Sequence, residues 1–197
     1  MPFNLPNALT WLRIIAIPLL VAVFYVPAQW LTLHERNLIA TVLFAAAAVT
    51  DWLDGYLARR LNQMSAFGAF LDPVADKLMV AAALIVLLWL QPPRLDAIVA
   101  IVIIGREIAI SALREWMAKL GQGRSVAVNL LGKIKTASQL IAIPMLLYHD
   151  RIGGWFDPFV IGTWLIYLAA ALTIVSMLYY LKLARPHAVG AGRQGPA

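Results

Sequence analysis

The sequence predicts an all-α, polytopic integral membrane protein, with six transmembrane helices in one bundle and both termini cytoplasmic. Three observations predict it. Of 197 residues, 62% are hydrophobic and only 13% charged, with a mean hydropathy of +0.79, whereas a soluble domain is about half apolar and about a quarter charged. The apolar stretches are long and continuous rather than alternating, which selects helices over barrel strands. At about 20 residues per crossing, six spans fill the chain. Finally, Arg36, Arg94 and Arg151 alone fall in loops 1–2, 3–4 and 5–6, while the other 13 of 16 Lys and Arg residues lie at the opposite helix ends or in the tail. That asymmetry puts the basic ends in the cytoplasm.

The first span is expected over 8–26, with Arg13 one turn inside, either snorkelling to headgroups or meeting a phosphate, and with Pro18 as a kink. The second, 37–61, carries Asp51, Asp54, Arg59 and Arg60 at its lower end. The third is expected over 73–90, because Asp72-Pro73 reads as an N-cap followed by proline at the first helical position. The fourth, 95–120, turns polar in its lower half (Arg106, Glu107, Arg114, Glu115, Lys119), and Gly121 to Ser125 break it. The fifth, 126–148, has Lys133 and Lys135 near its start, and the sixth spans 159–183. Residues 1–184 read as one transmembrane domain and 185–197, rich in Gly and Pro, as a flexible cytoplasmic tail. Gly105, Gly132 and Gly162 are expected to permit helix packing or local bends. Trp30, Trp89 and Trp155 mark the far interface.

No signal peptide is evident, since a basic leading region and a small-residue cleavage site are both missing from the start. The absence of cysteine excludes disulfide and thiolate chemistry. The net charge of +6 suits an anionic membrane surface or phosphate-bearing substrates; no nucleic-acid partner is expected. His34, His149 and His187 fall in loops or the tail and are poor catalytic candidates.

The chemistry gathers in DWLDGYLARRLNQMSAFGAFLDPVAD, residues 51–76. Carboxylates at membrane depth are costly and usually mark function. On a helix, Asp51, Asp54, Gly55 and Ala58 fall within about 100° of arc, leaving Trp52, Leu53, Tyr56 and Leu57 on the bulky remainder. Gly68, Asp72 and Asp76, four apart, share a face if that stretch is helical. Two facing helices would converge four carboxylates on one pocket. They repel one another unless cations neutralise them. An all-oxygen set suits Mg²⁺ or Mn²⁺, and two such ions can clamp a phosphoryl displacement. The spacing also allows structural ion pairs with Arg59, Arg60 and Lys77, or a cation-transport path.

This stretch resembles the signature of the CDP-alcohol phosphatidyltransferases, D-x2-D-G-x2-A-R-x8-G-x3-D-x3-D. Asp51, Asp54, Gly55, Ala58, Arg59, Gly68, Asp72 and Asp76 match every fixed position. NLPNALTWLRI, GREIAISALREW and LGKIKTASQ further resemble members that join CDP-diacylglycerol to sn-glycerol 3-phosphate. The resemblance implies a phospholipid-synthesising enzyme of the bacterial inner (cytoplasmic) membrane, active at its cytoplasmic face, homodimeric, with membrane lipids around it. It implies two Mg²⁺ or Mn²⁺ ions on Asp51, Asp54, Asp72 and Asp76, with Asp76 as general base. It implies that Asp51, Asp54, Gly55, Ala58, Arg59 and Gly68 bind CDP-diacylglycerol. The acceptor's phosphate needs a cationic pocket, for which Arg106, Arg114, Lys133 and Lys135 are the candidates, with Asn7, Thr10 and Arg13 closing it. The alternatives are another acceptor, such as inositol phosphate, serine or a second lipid, or a cation transporter.

Overall fold

A computed structural model describes residues 5–60, 66–119 and 130–191. Their order is α1 (Leu5–Val23), α2 (Leu33–Arg60), α3 (Ala66–Trp89), α4 (Ala97–Lys119), α5 (Leu130–Tyr148) and α6 (Pro158–Ala191). Strands are absent among these residues apart from one isolated bridge between Ile152 and Phe156. The closest neighbours are α5 with α6 and α1 with α2 and α3; α2 also packs on α5, and α4 on α6.

Long apolar runs with strong helix formers make these elements, and the apolar side chains that face inward fuse them. Leu20, Phe44, Leu87, Ile103, Ile143 and Ile166 belong to one buried cluster joining all six helices. A second, smaller cluster of Ile110, Met117 and Tyr180 fastens the other half of α4 to α6. Ile15, Leu19, Val42, Ile98, Ile101 and Trp164 are exposed on the outside, as suits a surface solvated by hydrocarbon. Leu33–Asp54 and Pro158–Lys182 are long and apolar enough to cross a membrane, and Asn7–Val23 is a shorter apolar helix. In α3, α4 and α5, Asp72, Asp76, Lys77, Arg106, Glu107, Lys133 and Lys135 dilute the hydropathy. At 19 to 24 residues and 1.5 Å of rise per residue, these three still reach about the 30 Å of a hydrocarbon core.

Two boundaries differ from expectation. Helix α3 already runs through Ala66, so Asp72 is no N-cap and Pro73 lies inside the helix. Proline forfeits one i→i−4 bond there, while the Asp72 carboxylate accepts a bond from another helix instead. Helix α6 continues to Ala191, so 184/185 is not a helix end. The break at Gly121 to Ser125 lies outside the described residues. Gly162 does mark close packing: a Cβ there would lie 3.0 Å from Met145 Cβ and 3.2 Å from the Ala142 carbonyl oxygen, whereas Gly105 faces open space.

One end of the bundle is tied by Arg94. It is buried, and its guanidinium donates to Asn37 Oδ1 at 2.9 Å and to the Leu147 carbonyl at 2.7 Å. The last carbonyls of a helix have no partner within it, so Arg94 caps α5 and binds it to α2.

Candidate active site

The opposite end of the bundle gathers polar residues from all six helices, among them Thr10, Asp54, Asp76, Arg106, Lys135 and Ser176. Asn7, Thr10 and Arg13 recur every three residues along α1 and are all buried. This spacing makes one polar stripe on an otherwise apolar helix, and α1 turns it toward α2 and α3. Thr10 Oγ1 donates to Asp72 Oδ1 at 2.5 Å. Arg13 Nη1 lies 2.9 Å from both Asp51 Oδ1 and Asp76 Oδ1, and Nη2 lies 2.5 Å from Asp54 Oδ2. Arg13 is 1% exposed and Asp54 3%. Arg13 therefore does not snorkel; it sits at the convergence point of three carboxylates from two helices.

Three of the four acids, Asp51, Asp54 and Asp76, meet at Arg13, while Asp72 accepts from Thr10. One guanidinium charge offsets only one of the three carboxylates around it, leaving an excess of negative charge in partly desolvated surroundings. Among the described residues, no group of three His, Asp or Glu side chains surrounds a point free to take a metal; three surround Arg13 instead. The donors themselves are hard oxygens, the set that Mg²⁺ and Mn²⁺ select. Ion pairing with Arg60 or Lys77 does not appear among the described salt bridges; Arg60 donates to the Tyr56 hydroxyl at 2.9 Å. Gly68 is buried in α3, and Gly55, Ala58 and Arg59 continue α2, with the Ala58 and Arg59 side chains outside the described ones.

The basic candidates separate. Lys135 is buried and its Nζ donates to Glu107 Oε1. Arg106 Nη1 lies 3.4 Å from the same oxygen, and Nη2 donates to Ser176 Oγ at 3.3 Å. Arg114 sits over the Tyr180 ring, 5.5 Å from its centroid, a cation–π contact. Lys133 is exposed. The two halves share one cavity of about 290 Å³, lined by Arg13, Asp51, Asp76 and Lys77 on one side and by Glu107, Lys135, Thr136 and Gln139 on the other.

Sequence reasoning missed four of these lining residues as site candidates: Lys77, Glu107, Thr136 and Gln139. Gln139 follows Lys135 by four positions, so helical spacing could have found it, whereas Thr136, one position on, does not share that spacing. Nothing local marks Glu107, whose partner is 28 residues away. The period-three polar stripe of α1 was a legible signal that Arg13 faces inward.

The sequence model of one family, described as CDP-alcohol phosphatidyltransferase, matches residues 3–175. Curated relatives named CDP-diacylglycerol–glycerol-3-phosphate 3-phosphatidyltransferase occur in Shigella flexneri serotype 5b (strain 8401), Salmonella choleraesuis (strain SC-B67) and Escherichia coli (strain K12). Each is 48% identical over 191 residues, covering 94% of this chain and 97% of the relative.

Proposed function

The chain belongs to the CDP-alcohol phosphatidyltransferase family, and we propose that it moves the phosphatidyl group of CDP-diacylglycerol to sn-glycerol 3-phosphate. The products are phosphatidylglycerophosphate and CMP, the reaction for which the relatives are named. One observation carries this reading: a single cavity joins Asp51 and Asp76 to Lys135. Phosphoryl transfer to a phosphate-bearing alcohol needs that pairing, an acidic centre for the reacting diphosphate and a cation for the acceptor's phosphate, which approaches a dianion at neutral pH.

Asp51, Asp54, Asp72 and Asp76 would hold two Mg²⁺ or Mn²⁺ ions, for which the convergent oxygen donors fit. Such ions, when bound, neutralise the diphosphate and stabilise the departing CMP. The chain's own residues supply the rest. Lys135, backed by Arg106, draws the acceptor's phosphate to the α4–α5 wall, with Arg114, Lys133, Asn7 and Thr10 as outer candidates. Asp76 takes the proton of the acceptor hydroxyl as its oxygen bonds to the β-phosphorus; the bond from that phosphorus to CMP then breaks. Gly55, Ala58, Arg59 and Gly68 frame the nucleotide, the small residues giving room and the guanidinium meeting phosphate.

All six helices are assigned as spans in a bacterial inner membrane, with both termini and the site on the cytoplasmic side, in a homodimer surrounded by lipid. The Lys and Arg distribution supports the orientation, and contacts such as Arg13–Asp54 and Lys135–Glu107 support one common polar end.

The test is CMP release by detergent-purified protein with CDP-diacylglycerol, Mn²⁺ and a panel of acceptors. Release with sn-glycerol 3-phosphate is expected. Release with inositol phosphate but not with glycerol 3-phosphate would overturn the acceptor assignment.

A further inference from the structure

We propose that Arg13 is the resting-state cation of the acidic cluster, holding the place a divalent ion later takes and leaving Asp51, Asp54 and Asp76 when that ion binds. This rests on the assignment of metal ions to those carboxylates.

Three features of the geometry support it. First, the guanidinium is shared: Nη1 bonds Asp51 and Asp76 at 2.9 Å each while Nη2 bonds Asp54 at 2.5 Å. It lies among three carboxylates from two helices, a position that a cation of higher charge would compete for. Second, the arrangement is incomplete. Arg13 Nε is buried and has no hydrogen-bond partner, and an unsatisfied buried donor disfavours the conformation that creates it. A phosphate oxygen would satisfy Nε, and arginine suits phosphate. Third, Arg13 borders the cavity together with Asp51, Asp76 and Lys77, so the displaced guanidinium has space to enter where the diphosphate would lie.

The device has a physical purpose. Without a counter-ion, three clustered carboxylates would repel and loosen the contacts of α1, α2 and α3. With Arg13 in place the bundle end stays assembled before substrate and metal arrive.

The measurement is Mn²⁺ affinity without any substrate, read by electron paramagnetic resonance on the detergent-purified full chain, with thermal unfolding in parallel. Arg13→Gln is expected to bind Mn²⁺ at least about tenfold more tightly than wild type. It is also expected to unfold at lower temperature in EDTA and to recover when Mn²⁺ is added. Arg13→Lys, which keeps a charge, is expected to stay near wild type in both readouts and guards against a folding defect. Equal or weaker Mn²⁺ binding by Arg13→Gln, with binding to wild type that Asp51→Asn abolishes, overturns the inference and leaves the metal assignment intact. No Mn²⁺ binding by wild type or any variant overturns both.

Discussion

Arg94 and Asn37, 57 residues apart in sequence, meet in the bundle interior, with Arg94 Nη2 donating to Asn37 Oδ1 at 2.9 Å. The other terminal nitrogen donates to the Leu147 carbonyl at 2.7 Å. One side chain thus satisfies the open end of α5 and links it to the start of α2. Burial holds its pKa down at about 10, still charged at neutral pH. Arg94→Met would leave two carbonyls and an amide unsatisfied, each costing about 1–3 kcal/mol. The variant is expected to unfold at markedly lower temperature in detergent, with Arg94→Lys falling between it and wild type.

Asp76 faces the cavity beside Asp51. Asp76→Asn keeps size and removes the basic oxygen. Turnover is expected to fall by about 10²–10⁴, the usual range for general base catalysis, while binding of CDP-diacylglycerol, measured by titration, is partly kept. Wild-type turnover in this variant would refute Asp76 as base.

Lys135 supplies a buried positive charge on the acceptor side of the cavity. Lys135→Met is expected to raise KM for sn-glycerol 3-phosphate by about tenfold or more, since a charge-assisted bond contributes about 1.5–3 kcal/mol. KM for CDP-diacylglycerol should move little. Equal changes in both constants would place Lys135 elsewhere in the mechanism.

At Gly162, α6 approaches α5 so closely that a Cβ would stand 3.0 Å from Met145 Cβ. The obstruction includes the Ala142 carbonyl oxygen at 3.2 Å, which cannot rotate away. Gly162→Val is expected to destabilise by about 1–3 kcal/mol through overpacking. Gly105→Ala, with nothing within 4 Å of its Cβ, should be tolerated in the same unfolding assay.

His149 ends α5 with a positive φ of 64° and stacks on Phe159 at 4.8 Å. Its pKa is lowered, chiefly by burial and then by Arg94, against the opposing pull of Asp150 and Asp157. Protonation is therefore easier in the unfolded chain. The stability contribution of neutral His149 is complete above the ordinary histidine pKa and falls as pH drops from there toward the lowered value. His149→Asn, which tolerates this backbone region, should flatten the loss of thermal stability as pH falls below about 6.5.

The helix count and the meeting of Asp51, Asp54 and Asp76 were legible because both depend on period and composition. The eight signature positions have fixed spacing, and helical geometry puts Asp51 with Asp54 and Asp72 with Asp76. The start of α3 was misread because Asp-Pro is a strong local signal for a helix beginning. The bond from Thr10 to Asp72 shows what prevailed: a cross-helix partner gave the carboxylate a use that a cap would have denied it. Arg94 read only as a basic residue of loop 3–4, since its partners in α2 and α5 are remote in sequence.

By itself the sequence determined that this chain is helical, apolar outside, and built around four carboxylates at fixed spacing, because those properties follow from residue type and period. Only the tertiary structure decided which cation those carboxylates meet. Arg13 is 41 residues from Asp54 and 63 from Asp76, and no local pattern links them. Their pairing arises because α1 packs on both α2 and α3 and buries its polar stripe there, and a buried charge is stable only where an opposite charge awaits it.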